Sequence, residues 1–182
     1  MLTQPPKQTK TFFSLDGIHC FLFAIGIEEF TSQSLKMYVG RLRPNFYSLC
    51  GFDRKSLQCT ADMAHQYEAR LSFPSGHSSL SFCGMGVLMW FCLGCWIRFC
   101  SIRTGISNAN EVNERGGLLT STLALTLRYK HGFKGVLFCM TPLLYSTFVA
   151  TSRIVDNWHH PSDILAGIII GFSCATISYH LW

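Results

Sequence analysis

Residues 71–97 read LSFPSGHSSLSFCGMGVLMWFCLGCWI. From Leu80 to Ile97 no side chain is charged. A helix needs about 20 mainly apolar residues to cross the hydrocarbon core of a bilayer, and this run meets that demand. Three further stretches, 17–35, 135–150 and 164–182, share its character. The last fits a span equally well, and the third is short and needs Tyr145 or its flanks at the interface. The first is interrupted by Glu28 and Glu29. Carboxylates are costly at mid-membrane, so these two must face protein or water, or be protonated. About four spans predict an all-α, multi-span transmembrane helical bundle, in one domain over 1–182. Composition agrees: 48% of the 182 residues are hydrophobic and 14% are charged, with mean hydropathy +0.24.

Residues 1–10 are polar, carry two prolines and lack a following small-residue cleavage site, so no signal peptide is read there. Segment 101–116 is rich in Ser, Asn, Glu and Gly and reads as a flexible loop. Segment 117–127 is apolar but too short to span, which suits an interfacial helix or an extension of the third span. The net charge of +5 is scattered and lacks a recognition motif, which argues against nucleic acid. Of nine cysteines, Cys20, Cys83, Cys92, Cys95, Cys139 and Cys174 lie in apolar segments and read as small core residues. Cys100, near a helix end, is a candidate for palmitoylation. Cys50 and Cys59 flank a short polar stretch, and the sequence is compatible with a disulfide or with two free thiols. No Cys/His spacing suits zinc, and no metal site is expected.

Three polar clusters sit beside the apolar runs, and each mixes fixed positive charge with small residues or histidine. In the first, seven positions separate Lys36 from Arg43, nearly two helical turns, so both side chains can share a face. Lys offers a point charge and Arg a planar fork for phosphate oxygens. Pro44 is read as the helix end, and Arg41, two residues from Arg43, is expected to point elsewhere. In the second, Ser75 suits an N-cap, and Gly76 lets the backbone approach a ligand. His77 then lies at a helix N-terminus, where free N–H groups favour an anion, and it is the side chain able to give up a proton near neutrality. The third cluster is Ser152, Arg153, His159 and Asp163, with Pro161 placed to open the last span. Four residues apart, Asp163 is expected to accept a hydrogen bond from one nitrogen of His159 and leave the other basic. His160, three residues from Asp163, competes for that place. Read singly, these clusters also suit a basic patch on anionic lipid, a capped helix start and a loop histidine pair.

In order and spacing, Lys36-x6-Arg43-Pro44, Pro74-Ser75-Gly76-His77 and Ser152-Arg153-x5-His159-x3-Asp163 resemble the three-part signature of the type-2 phosphatidic acid phosphatase/haloperoxidase-like superfamily. The strings GRLRP at 40–44 and LSFPSGHS at 71–78 are most similar to its eukaryotic lipid phosphate phosphatase branch. The resemblance runs from about residue 17 to the C-terminus. It implies a metal-independent membrane hydrolase of lipid phosphate esters such as phosphatidate, lysophosphatidate and diacylglycerol pyrophosphate, with no cofactor. It implies that His159 attacks phosphorus and forms a phosphohistidine, that Asp163 orients it, and that His77 protonates the leaving alkoxide. Lys36, Arg43, Ser75, Gly76, Ser152 and Arg153 are implied to hold the substrate. The family has six spans, so the usual first two helices are expected to be missing here. With four spans, the motif-bearing loops share one membrane face, expected to be the non-cytosolic one. A haloperoxidase, a non-catalytic scaffold related to the phosphatases and a transporter are weaker readings, because the chain is apolar, keeps both histidines and places its ionisable groups in loops. The preferred lipid, the membrane and the oligomeric state stay open.

Overall fold

The computed structural model describes residues 15–103 and 132–182. The readings of 1–10 and 117–127, and that of 101–116 beyond its first three residues, fall outside them. Those three residues continue a helix rather than opening a loop. In chain order the elements are α1 (Leu15–Val39), α2 (Phe46–Leu49), strands β1 (Phe52–Asp53) and β2 (Gln58–Cys59), α3 (Met63–Glu68), α4 (Gly76–Arg103), α5 (Gly132–Cys139), α6 (Thr141–Val155) and α7 (Pro161–Leu181). The architecture is an all-α bundle with one small antiparallel hairpin, in which Phe52 pairs with Cys59 and Asp53 with Gln58.

Among the described residues, three units are long and apolar enough to cross a membrane: Gly76–Cys100, Gly132–Val155 and Pro161–Leu181. The fourth expected span is the helix α1, but it is not among the three, because Glu28 and Glu29 interrupt its apolar run. The second unit is broken between α5 and α6. Pro142 lies in the first turn of α6, where its missing N–H and its ring deny the preceding turn a continuous ladder. Pro161 opens α7 at its first position, as its fixed φ favours.

Helix α4 is central and touches α1, α5, α6 and α7. Its Cys83, Val87 and Phe91, one turn apart, meet Cys20 and Ala24 of α1 and Cys174 and Ala175 of α7. Lipid tails are as apolar as these side chains, so close packing and interhelical hydrogen bonds must hold the bundle instead. Both occur. A Cβ at Gly171 would lie 2.0 Å from the Ser79 carbonyl oxygen, and one at Gly167 2.6 Å from that of Ser75. The Gly167-x-x-x-Gly171 pair therefore lets α7 lie against the backbone of α4. Trp90 Nε1 donates to Thr176 Oγ1 (3.1 Å), Ser146 Oγ to the Ser81 carbonyl (2.9 Å) and Ser178 Oγ to the Cys20 carbonyl (2.7 Å).

Glu28 is fully buried and faces protein. Its Oε1 accepts from Ser32 Oγ at 2.7 Å and from Ser79 Oγ of α4. The desolvation of this mid-helix carboxylate is offset in part by hydroxyl donors from two helices, while its Oε2 is buried without a hydrogen-bond partner among the described residues. Between α1 and α4 the polypeptide folds as a cap on one end of the bundle. Cys50 and Cys59 form a disulfide there, with Cα atoms 5.1 Å apart. Asp62 caps α3 by accepting from the His65 N–H.

Candidate active site

The three clusters meet at the end of the bundle beneath this cap, and backbone hydrogen bonds bring them there. Arg43 N–H donates to the Ala69 carbonyl (2.9 Å), Ser72 N–H to that of Arg41 (2.9 Å) and Ser75 N–H to that of Asp163 (3.0 Å). The first cluster is thus joined to the approach to α4, and the start of α4 to the start of α7.

Helix α1 ends at Val39, not at Pro44. Gly40 has φ +58, the left-handed conformation that glycine adopts at no steric cost, and its N–H bonds back to the Lys36 carbonyl at 3.2 Å. Lys36 and Arg43 therefore do not share a helical face. Past Gly40 the chain is non-helical, Leu42 is exposed, and Arg41 and Arg43 are both partly covered. The expectation that Arg41 points elsewhere fails for this reason: two residues apart lie on one side of an extended chain, whereas they diverge on a helix. Arg41 Nη1 donates to Asp163 Oδ1 (2.6 Å) and to Ser162 Oγ (2.7 Å). Arg43 lies with its guanidinium 4.6 Å from the centre of the Trp158 ring and its Nε on the Glu68 carbonyl at 2.9 Å. The stacking fixes the plane of the fork.

Helix α4 begins at Gly76, and the Ser75 carbonyl accepts the first helical bond, from Ser79 N–H, at 3.0 Å, as an N-cap residue does. Ser75 is buried and its Oγ accepts from Ser78 Oγ at 3.0 Å. A Cβ on Gly76 would lie 2.7 Å from Lys36 Nζ, so the ammonium stands directly over the helix start. Lys36, Gly76, His77 and Leu80 line an open cleft of about 190 Å³ together with Glu29, Ser32 and Gln33 of α1. The charges of Arg153, Lys36 and Arg43 all reach His77. Arg153 is held by Asp156 Oδ2 (3.0 Å) and by Ser152 Oγ (3.2 Å), so Ser152 acts on the guanidinium beside it.

His159 is 4% exposed. Its Nδ1 lies 2.7 Å from the Ser72 carbonyl oxygen. A carbonyl only accepts, so Nδ1 carries the proton and the Nε2 lone pair stays unprotonated. Burial pushes this imidazole down to about 4, with the Arg43 and His77 charges adding to the effect and the Ser72 bond and Asp163 opposing it. The ring is neutral at pH 7. The expected bond from His159 to Asp163 is absent among the described contacts. The Asp163 carboxylate is fully buried and committed elsewhere. Oδ2 accepts from Ser72 Oγ (2.6 Å) and from His160 N–H (3.0 Å), and lies 3.2 Å from His160 Nδ1. Asp163 thus serves as the third residue of a capping box with His160, the rival histidine. Sequence reasoning missed Arg41, Ser72 and Trp158. The signal for the first was Gly40, which announces the end of the helix.

A neutral imidazole, a second histidine and three cations whose charges reach that second histidine gather at this end of the bundle, residue types suited to binding an anion. The profile of the PAP2 superfamily matches residues 17–182. The chain belongs to the PAP2 superfamily. Among its PAP2 relatives, lipid phosphate phosphatase 1 of Arabidopsis thaliana is 33% identical over 180 residues, which cover 95% of this chain and 46% of the relative. Lipid phosphate phosphatase 2 of the same plant is 31% identical, covering 87% of this chain and 48% of the relative. Phospholipid phosphatase 2 of Rattus norvegicus is 28% identical, with 87% and 51% covered. The chain spans about half the length of the curated relatives it matches. No solved structure matches it.

Proposed function

We propose that this chain is a membrane lipid phosphate phosphatase that hydrolyses phosphate mono- and diphosphate esters, with phosphatidate, lysophosphatidate and diacylglycerol pyrophosphate as substrates. The observation that carries the reading is His159: buried and neutral, its Nδ1–H committed to Ser72, which leaves the Nε2 lone pair free of a proton, with the Arg43 charge close enough to act on the ring. Nε2 attacks phosphorus, the bond from phosphorus to the leaving oxygen breaks, and His77 gives that oxygen its proton. Water then attacks the phosphohistidine, returns a proton to His77 and releases phosphate. Lys36, Arg43 and Arg153, with the Ser75 hydroxyl and the Gly76 N–H, hold the phosphoryl oxygens and stabilise the growing charge. That stabilisation is the reason to expect turnover without added metal.

The names of the relatives support a lipid substrate, and so does the cleft, where Lys36 and His77 share walls with apolar Leu80. The chain is a multi-pass membrane protein, and we place its active face on the non-cytosolic side. The Cys50–Cys59 disulfide in the cap supports this, because disulfides persist in oxidising compartments. The test is phosphate release from phosphatidate in detergent micelles with EDTA, comparing the chain with its His159→Ala variant. Release by the parent alone is expected. Equal release by both would remove His159 as nucleophile, and none from folded parent would overturn the reading for this chain.

A further inference from the structure

Resting on that reading, we propose that Arg41 and Ser72 are positioning residues that couple Asp163 to the nucleophile His159 without direct contact between carboxylate and imidazole. The geometry is a chain of short bonds. Arg41 Nη1 meets Asp163 Oδ1 at 2.6 Å, Ser72 Oγ meets Asp163 Oδ2 at 2.6 Å, and the Ser72 carbonyl accepts from His159 Nδ1 at 2.7 Å. One residue, Ser72, presents its side chain to the carboxylate and its backbone to the ring. Asp163 and Ser72 are fully buried and His159 nearly so, while Arg41 is partly exposed and closes the assembly from outside. The segment bearing Ser72 is a loop with no helix to stiffen it, so its carbonyl stays in place through its bonds: Ser72 N–H to the Arg41 carbonyl at 2.9 Å and Ser72 Oγ to Asp163. Arg41 thus grips Ser72 through its own carbonyl and Asp163 through its guanidinium. Asp163 sets the nucleophile by holding the peptide on which the nucleophile's proton rests. This hydrogen-bond support fixes the ring tautomer and its orientation, and loss of such partners typically costs about 10- to 100-fold in activity.

The test pairs kinetics with a readout that needs no turnover. Ser72→Ala, Arg41→Ala and Asp163→Ala, with the two doubles Ser72→Ala/Asp163→Ala and Arg41→Ala/Asp163→Ala, are assayed in micelles for kcat and KM. The ¹⁵N spectrum of His159, assigned with His159→Gln, reports its tautomer in each variant. The expected result is a fall in kcat of about 10- to 100-fold in each single variant with KM changed less than about threefold. Each double should be no slower than Asp163→Ala alone, because residues acting in series are not additive. Ser72→Thr, which keeps the hydroxyl, should recover most of kcat. The Nδ1–H signature of the parent should give way to a tautomer mixture in Ser72→Ala and Arg41→Ala. Losses that multiply in the doubles, or an unchanged His159 tautomer in both singles, would overturn the proposal. If the parent releases no phosphate, the functional reading fails by itself, and the tautomer comparison still decides the coupling.

Discussion

Gly76→Ala separates the fold of this site from its chemistry. Gly76 starts α4 with ordinary helical backbone, so alanine brings no backbone strain and slightly favours the helix. The added Cβ would sit 2.7 Å from Lys36 Nζ and 3.5 Å from its Cε. Ordinary van der Waals contact begins at 3.4 Å, so the ammonium must retreat by about 0.7 Å. The lysine stem is flexible and yields cheaply, which keeps the cost in stability below about 1 kcal/mol. Its consequence for catalysis is larger, because a misplacement of about 1 Å in a positioning group can cost about 100-fold in rate. A fall of kcat/KM by about 10- to 100-fold with a melting temperature within about 4 °C of the parent is therefore expected. The assay is phosphate release from phosphatidate micelles alongside a thermal scan of the same preparation. Parental kcat/KM in a folded Gly76→Ala protein would refute the reasoning, since Lys36 would then not be holding phosphate from above the helix start.

Acidification should destabilise the protein through His159. Its folded value is pushed down to about 4 from the ordinary 6.5, so between these values the unfolded chain binds more protons and stability rises with pH. Stability is lost as pH falls through that window, and thermal scans from pH 7 to pH 4 should steepen less in His159→Phe. The acid limb of kcat/KM set by His159 should fall near pH 4, and a limb near 6.5 would mean a solvated ring. Arg43→Lys keeps the charge but loses both the stack on Trp158 and the planar fork, and kcat/KM should drop about 100-fold. Gly171→Val drives a side chain into the Ser79 carbonyl, which no rotamer relieves, so monodisperse protein should be lost or melt well below the parent.

The bundle was legible because its signals are local. Ser75-Gly76 and Pro161 mark the starts of α4 and α7 within a residue of where they occur. Pro142, equally local, was passed over, and with it the break between α5 and α6. The Gly167-x-x-x-Gly171 pair was in plain sight as well, but its meaning depends on which backbone lies opposite. Residue types at the site could be read, yet their wiring could not. Asp163 sits one helical turn from His159, so a direct bond was the natural inference. The ring instead turned to the Ser72 carbonyl, 87 residues away in the chain, because His160 and Ser72 had filled the carboxylate. Glu28 was anomalous only in a helix considered alone, and Ser79 of α4 supplies its donor.

The backbone bonds that join the three motif segments bear on how the chain would behave when disabled. Because peptide groups tie Arg43 to Ala69, Ser72 to Arg41 and Ser75 to Asp163, the cradle does not depend on the reacting side chains for its shape. Exposed His77 contributes no hydrogen bond to that scaffold among the described residues. A His77→Ala chain would keep its grip on an anionic headgroup while failing to release the alcohol. It would act as bait: the molecules it carries through purification, weighed by mass spectrometry, would name the natural cargo from the cell itself.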